Sequence, residues 1–208
     1  MLSNINIDNW DGVSKQYKHA RRIIFCEKMG IDSPDDIDSY DESALHLSVT
    51  NDAMELPSSV ARILPKDNKQ VGTFFRPVFH QRHSDVVREA CELSRLGACA
   101  PQKVTMEGAL HLDPINSVEL VMLAAIHSAY CRMGYENSVL CVRRGFVRIL
   151  RKLNIPVCEA SEEIDCLGVR KVYLINHEQT VLSLREHHKA WWDVLAEDVL
   201  AEPVSIPA

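Results

Sequence analysis

The stretch that most constrains this chain is Cys91–Ala98, which reads Cys-Glu-Leu-Ser-Arg-Leu-Gly-Ala. It lies mid-chain, ahead of the longest helical pattern, and reads as a strand. Successive side chains on a regular strand point to opposite faces. Glu92 and Ser94 then share one face, and Leu93 and Arg95 the other. A carboxylate, a hydroxyl and a guanidinium on a strand that crosses a core need partners. Two readings supply them. One is a satisfied ion pair at the sheet surface, which these residues alone favour. The other is a reaction site, where the carboxylate takes a proton and its neighbours hold a polar substrate.

The remaining composition narrows the class. A chain of 208 residues holds one domain with a real core. With 46% apolar and 25% charged residues it reads as a soluble globular protein. Its net charge of −6 argues against nucleic acid as the main partner. Seven scattered cysteines without a Cys-x-x-Cys pair argue for reduced thiols in a cytoplasmic setting, and against a disulfide framework or a zinc site. No apolar run approaches the roughly 18 residues of a membrane span. Residues 1–10 lack a basic-then-apolar pattern, so no signal peptide is expected.

Trp10, Val13, Tyr17, Ala20 and Ile24 recur at helical steps, and Gly30 is placed to stop that helix. Arg21 and Phe25 are four apart and should be neighbours on it. They read either as a surface arginine over a ring or as an arginine at a pocket rim. Residues 31–42 carry Asp32, Asp35, Asp36, Asp38, Asp41 and Glu42, and read as a mobile, solvated acidic loop. Residues 44–50 and 59–64 read as strands of a hairpin, with Arg62 expected at an edge or surface. Residues 66–90 are the least legible. Phe74, Phe75 and Phe79 there suit core packing or an apolar wall for a substrate tail. His80 and His83 lack a third ligand, so no metal site is expected.

In the second half, Asp113 and Pro114 read as N-cap and first residue of a helix. Val118, Met122, Ala125, Ala129 and Met133 form its stripe, and Gly134 its stop. A strand over 138–142 and a helix over 145–154 follow. Arg144, Arg148 and Arg151 share one face of that helix. This basic face is either solvated or a landing site for an anionic partner, such as a phosphopantetheine carrier domain or a coenzyme phosphate. Strands over 157–160 and 169–175 and a final helix over 178–201 complete the chain. The order of elements predicts an α/β (α+β) domain over 1–208, with a mixed central sheet flanked by helices. Gly-x-Ser-x-Gly, Walker-type and His-Glu-x-x-His motifs are missing from the sequence.

Four motifs in order give a resemblance. Arg21-x-x-x-Phe25, Asp38-Ser39-Tyr40-Asp41, Arg62-Ile63-Leu64-Pro65 and Glu92-Leu93-Ser94-Arg95 resemble the motifs of the acyl-homoserine-lactone synthases, the autoinducer synthases of quorum sensing. Ile31 stands where that family has a tryptophan, and Leu96 where it has a phenylalanine. The resemblance implies a three-layer fold similar to the Gcn5-related N-acetyltransferases. It implies an acyltransferase that moves an acyl chain from an acyl carrier protein or coenzyme A thioester to the amine of S-adenosylmethionine. Lactone closure then releases methylthioadenosine. S-adenosylmethionine enters as substrate, and no cofactor or metal is implied.

The resemblance also assigns roles. Glu92 is the expected base, with Ser94 and Arg95 beside it as catalytic residues. Arg21, Phe25, Asp38, Asp41 and Arg62 are expected to bind substrate, as is Phe75 or Phe79. Arg144, Arg148 and Arg151 would receive the acidic carrier. The thioester carbonyl calls for backbone N–H donors at a gap between strands. Another N-acyltransferase of this fold, for example of the exosortase-associated type, is a rival reading. A non-catalytic ligand-binding relative is a second, and a cysteine nucleophile at Cys91 or Cys99 a third.

Overall fold

A computed structural model of the chain describes residues 3–28, 30, 37–71, 78–99, 102–107, 112–113, 115–165 and 168–199. Its centre is an eight-stranded mixed sheet in the order β1-β2-β3-β4-β7-β10-β8, with β9 also on β10. The strands are β1 (Asn4–Asp8), β2 (Leu45–Thr50), β3 (Ser59–Leu64), β4 (Cys91–Ala98), β7 (Asn137–Val142), β8 (Cys158–Glu159), β9 (Ile164–Asp165) and β10 (Val169–Asn176). A separate ribbon pairs β5 (Lys103–Val104) with β6 (Ile115–Asn116). The helices are α1 (Lys15–Arg22), α2 (Ser84–Glu89), α3 (Ser117–His127), α4 (Arg144–Lys152), α5 (His177–His187) and α6 (Lys189–Val199).

Every pairing in the main sheet is antiparallel except β4 with β7. That parallel pair makes only two register contacts, Cys91 with Ser138 and Glu92 with Val139. From Leu93 onward no strand among the described residues continues the ladder on this side of β4.

The two faces of the sheet do different work. Leu45, Leu47, Val49, Ala61, Ile63, Cys91 and Leu93 pack on α3 in the main core. Strand alternation sends His46, Arg62, Glu92 and Ser94 to the opposite face. Both faces are covered, which is why β2 and β3 are buried almost throughout.

Several sequence expectations are corrected. The first helix does not run from Trp10. Ser14 caps it, its Oγ accepting from Tyr17 N–H, and β1 precedes it. The α3 helix starts at Ser117 and not after Asp113. Asn116 caps it, and Glu119 closes a capping box that satisfies two backbone donors at the helix N-terminus. Its expected stripe is widened to burial on nearly every side, because α6 covers the face away from the sheet, with the Trp192 ring tilted against His127 at 4.8 Å between centroids. The single final helix is two, because the backbone of His188 (φ −137°, ψ 33°) leaves the helical region. Helix α2 was hidden in the least legible segment. No helix among the described residues is long and apolar enough to cross a membrane.

Candidate active site

The polar face of β2, β3 and β4 carries a cluster built in register. His46 lies opposite Arg62, and Arg62 opposite Ser94. Arg62, expected at an edge, is instead fully buried at the centre. A buried guanidinium must have its donors matched. Nη1 donates to Asp38 Oδ1 and Asp41 Oδ1, each at 2.7 Å, and Nε to Ser94 Oγ at 3.1 Å. Nη2 has no hydrogen-bond partner among the described residues.

The acidic corner is not a solvated loop at this end. Asp41 is fully buried, and its Oδ1 also accepts from Arg21 Nη1 at 2.6 Å. Burial raises its carboxyl, but the Arg21 and Arg62 guanidiniums outweigh burial and hold it below the ordinary carboxylate value. Asp38 accepts from Gln70 Nε2 at 2.8 Å and from Arg95 Nη2 at 3.1 Å. Asp38 and Asp41 also knit the turn itself, Asp38 N–H donating to Asp41 Oδ2 and Asp41 N–H to Asp38 O. Residues 31–36, including Ile31, lie outside the described residues.

Arg21 is completely buried, so it is neither a surface residue nor a rim residue. It lies in the last turn of α1, which then widens into a π-helical turn over Ile23–Lys28. Such turns alter the direction of following side chains and recur at functional sites. Here the turn carries Phe25, which lies under the Arg95 guanidinium at 5.6 Å. Gly97 permits the approach, since a Cβ there would meet Ile24 Cγ2 at 2.5 Å.

The expected alternation along β4 fails at Arg95. Its φ of +50° is in the left-handed region, costly for a residue with a side chain. The pairing with β3 shifts there, so that Arg95 and Leu96 together oppose Ala61 in a β-bulge. The extra residue turns Arg95 onto the polar face, where it joins Asp38, and returns Leu96 to the main core. Burial, with Arg62 and Arg21 nearby, draws the Arg95 guanidinium down to about 10, still cationic at neutral pH.

Glu92 sits one register step from Ser94 on this face and is almost wholly buried. Its Oε2 accepts the backbone N–H of Val71 at 2.8 Å. Burial raises its carboxyl above the ordinary value, only partly offset by the Val71 N–H and Arg62. It stands where β4 and β7 part. A raised carboxylate where two strands part suits proton abstraction from a bound nucleophile.

No protein-family model matches the sequence, and no curated protein is significantly similar to it. Solved structures do match. BjaI, a coenzyme A-dependent acyl-homoserine lactone synthase solved with S-adenosylmethionine and isopentyl-CoA, is 16% identical and covers 99% of this chain and 95% of its own, with a TM-score of 0.61. The synthase LasI is 16% identical, covering 88% of this chain and 95% of its own, with a TM-score of 0.60. A protein of Lactobacillus plantarum assigned as an N-acetyltransferase is 13% identical, covering 85% and 99%, with a TM-score of 0.54. This chain has the fold of the acyl-homoserine lactone synthases.

On that synthase fold, Arg21, Asp38, Asp41, Arg62, Ser94 and Arg95 form one hydrogen-bonded cluster, with Phe25 under it and Glu92 beside it. Phe79 is outside the hydrogen-bonded cluster but packs with Val71 and Val139, which flank Glu92. It is half-buried against Val71, Val87, Ala90, Val139, Ala160, Val172 and Leu174, a second apolar cluster. Phe75 lies outside the described residues. Cys91 is buried in the main core, which pushes its thiol up, and burial raises Cys99 too, so neither suits a nucleophile. Among the described residues no group of three metal-ligating side chains gathers. Arg144, Arg148 and Arg151 are exposed on α4, away from the cluster.

Four participants were missed. Gln70 and the Val71 N–H come from a segment without a readable pattern. Tyr17 and His46 form a buried prop: His46 Nε2–H donates to Asp41 O at 3.0 Å, and Tyr17 OH donates to His46 Nδ1 at 2.9 Å. Burial holds the imidazole down to about 4, so it is neutral. The alternation of His46 with Leu45 and Leu47 carried the signal, but an outward strand face reads as solvent until a second layer is known to cover it.

Proposed function

We propose that this chain is an acyl-homoserine-lactone synthase, acylating the amine of S-adenosylmethionine from an acyl thioester and releasing the lactone. The observation that carries the reading is Glu92, raised by burial and set beside the arginine–aspartate cluster where β4 parts from β7. The substrate amine arrives protonated and cannot attack. Glu92 takes its proton, directly or through water. The amine nitrogen then attacks the thioester carbonyl, whose developing charge meets backbone N–H groups of the β4 edge. The thioester C–S bond breaks and the thiol leaves with a proton. The substrate carboxylate then displaces methylthioadenosine to close the lactone.

In this reading Asp38 and the arginines orient the substrate. Nη2 of Arg62, which has no hydrogen-bond partner among the described residues, suits the substrate carboxylate. Ser94 holds Arg62 in place and Phe25 walls the nucleotide side. The donor's anionic carrier or coenzyme approaches α4. Arg144 and Arg151, with Arg170 and Lys171 of β10, line a cavity of about 290 Å³ there, with Glu159, the ion-pair partner of Lys171, and Glu163 also in its wall.

The test is mass spectrometry of lipophilic products from cells expressing the chain, beside a Glu92→Gln control. A lactone made only by the parent chain is expected. A different acylated amine would identify another N-acyltransferase of this fold. Binding of S-adenosylmethionine by a folded chain that yields no product from carrier-bound or coenzyme A-bound donors would identify a binding protein instead.

A further inference from the structure

A second cluster of reactive groups lies at the far edge of the sheet. Cys158 on β8 is half-exposed, and its Sγ is 3.3 Å from Nε2 of His83, 75 residues earlier. The same ring nitrogen is 3.0 Å from Arg82 Nε. A guanidinium only donates, so Nε2 carries no proton and the imidazole is protonated at Nδ1. The Cys158 S–H therefore shares with the Arg82 N–H the single lone pair of that nitrogen. The alternative acceptor, the Glu159 carbonyl, is farther at 3.7 Å.

The surroundings hold this pair in place and leave room beside it. Residues 78–83 are tied to the β8 edge by the Phe79–Ser161 bridge and by two backbone hydrogen bonds of 2.9 Å, His80 N–H to Ala160 O and Glu162 N–H to Val78 O. His80, Gln81 and Arg82 line an open depression of about 550 Å³. Arg82 sets a positive charge at both the sulfur's partner and that depression.

We propose that Cys158, with His83 as its base, is a modification site that exchanges with anionic low-molecular-weight disulfides. The S–H proton passes to His83 Nε2 as Arg82 yields its contact. The thiolate attacks one sulfur of the disulfide, and the S–S bond breaks. The leaving thiolate takes the proton from His83. Cys158 is oxidised to a mixed disulfide and one equivalent of thiol is released. Arg82 disfavours a lasting imidazolium, so His83 acts as base only during attack. The bulky product must displace His83 and loosen residues 78–83 from β8.

The test treats the folded full chain with limiting glutathione disulfide and maps mixed disulfides by peptide mass spectrometry, with the exposed Cys131 as internal reference. Cys158 is expected to react at least ~10-fold faster than Cys131. His83→Ala should remove that advantage while the rate at Cys131 stays unchanged. Equal rates at the two cysteines in the parent chain would overturn the proposal. If His83→Ala speeds every cysteine, the chain has opened, and His83→Gln decides. Retained selectivity in that variant would also sink the assignment.

Discussion

Asp41 is the residue on which the cluster turns, because two buried guanidiniums share its one Oδ1. Removing one partner of a buried ionic group leaves the other charges uncompensated. Asp41→Asn should therefore cost about 3–5 kcal/mol in urea unfolding. The pH dependence follows the same carboxylate. Its folded value is depressed, so its contribution is complete above the unfolded carboxylate range and is lost as pH falls through the folded value. Glu92 runs the other way. Its folded value is raised, so it favours folding while protonated, and that contribution is lost as pH rises through the folded value. Glu92→Gln keeps an acceptor for Val71 and removes the buried charge. It should be more stable than the parent at pH 8, and at least ~100-fold slower in acyl transfer. A variant less stable at pH 8 would mean that Glu92 serves packing more than chemistry.

At the scale of elements, the bulge in β4 and the π-helical turn after α1 are fitted to one another. The bulge turns Arg95 toward Asp38, and the turn lays Phe25 beneath it. Gly97 is where the two elements touch. Gly97→Ala forces Ile24 aside and should cost about 1–3 kcal/mol, as overpacking does elsewhere. Thermal unfolding would measure the loss. A neutral result would show that the turn after α1 yields easily and does not fix Phe25.

At the scale of the whole molecule, the proposed substrates reach the site by different routes. In the proposed function the amine substrate would meet the buried cluster, and the thioester donor the cavity beside α4. Arg144→Glu with Arg151→Glu should raise KM for the acyl donor by about 10-fold, or roughly 1.4 kcal/mol, and leave KM for S-adenosylmethionine unchanged. The effect should shrink as salt screens the surface charges. Steady-state kinetics with each substrate varied in turn separates the two. Equal changes in both KM values would place the basic face outside donor recognition.

The strands 44–50, 59–64 and 91–98 were legible in the sequence because local alternation and turn residues act over a few positions. So were the basic face of α4 and the stop at Gly134. The ordered motifs also named most of the cluster. What stayed hidden depends on contacts distant in sequence. Alternation placed Arg95 on the face away from Glu92. Only the shift of β4 against β3 turned it round, and that shift is a property of two strands 30 residues apart. Acidic residues 38 and 41 read as solvated because nothing nearby in sequence neutralises them. Their partners, Arg21, Arg62 and Arg95, arrive from α1, β3 and β4. Single residues and their near neighbours set the strands and the chemistry available. The tertiary structure alone decided which charges were buried together, because burial is shared among segments that no short window contains.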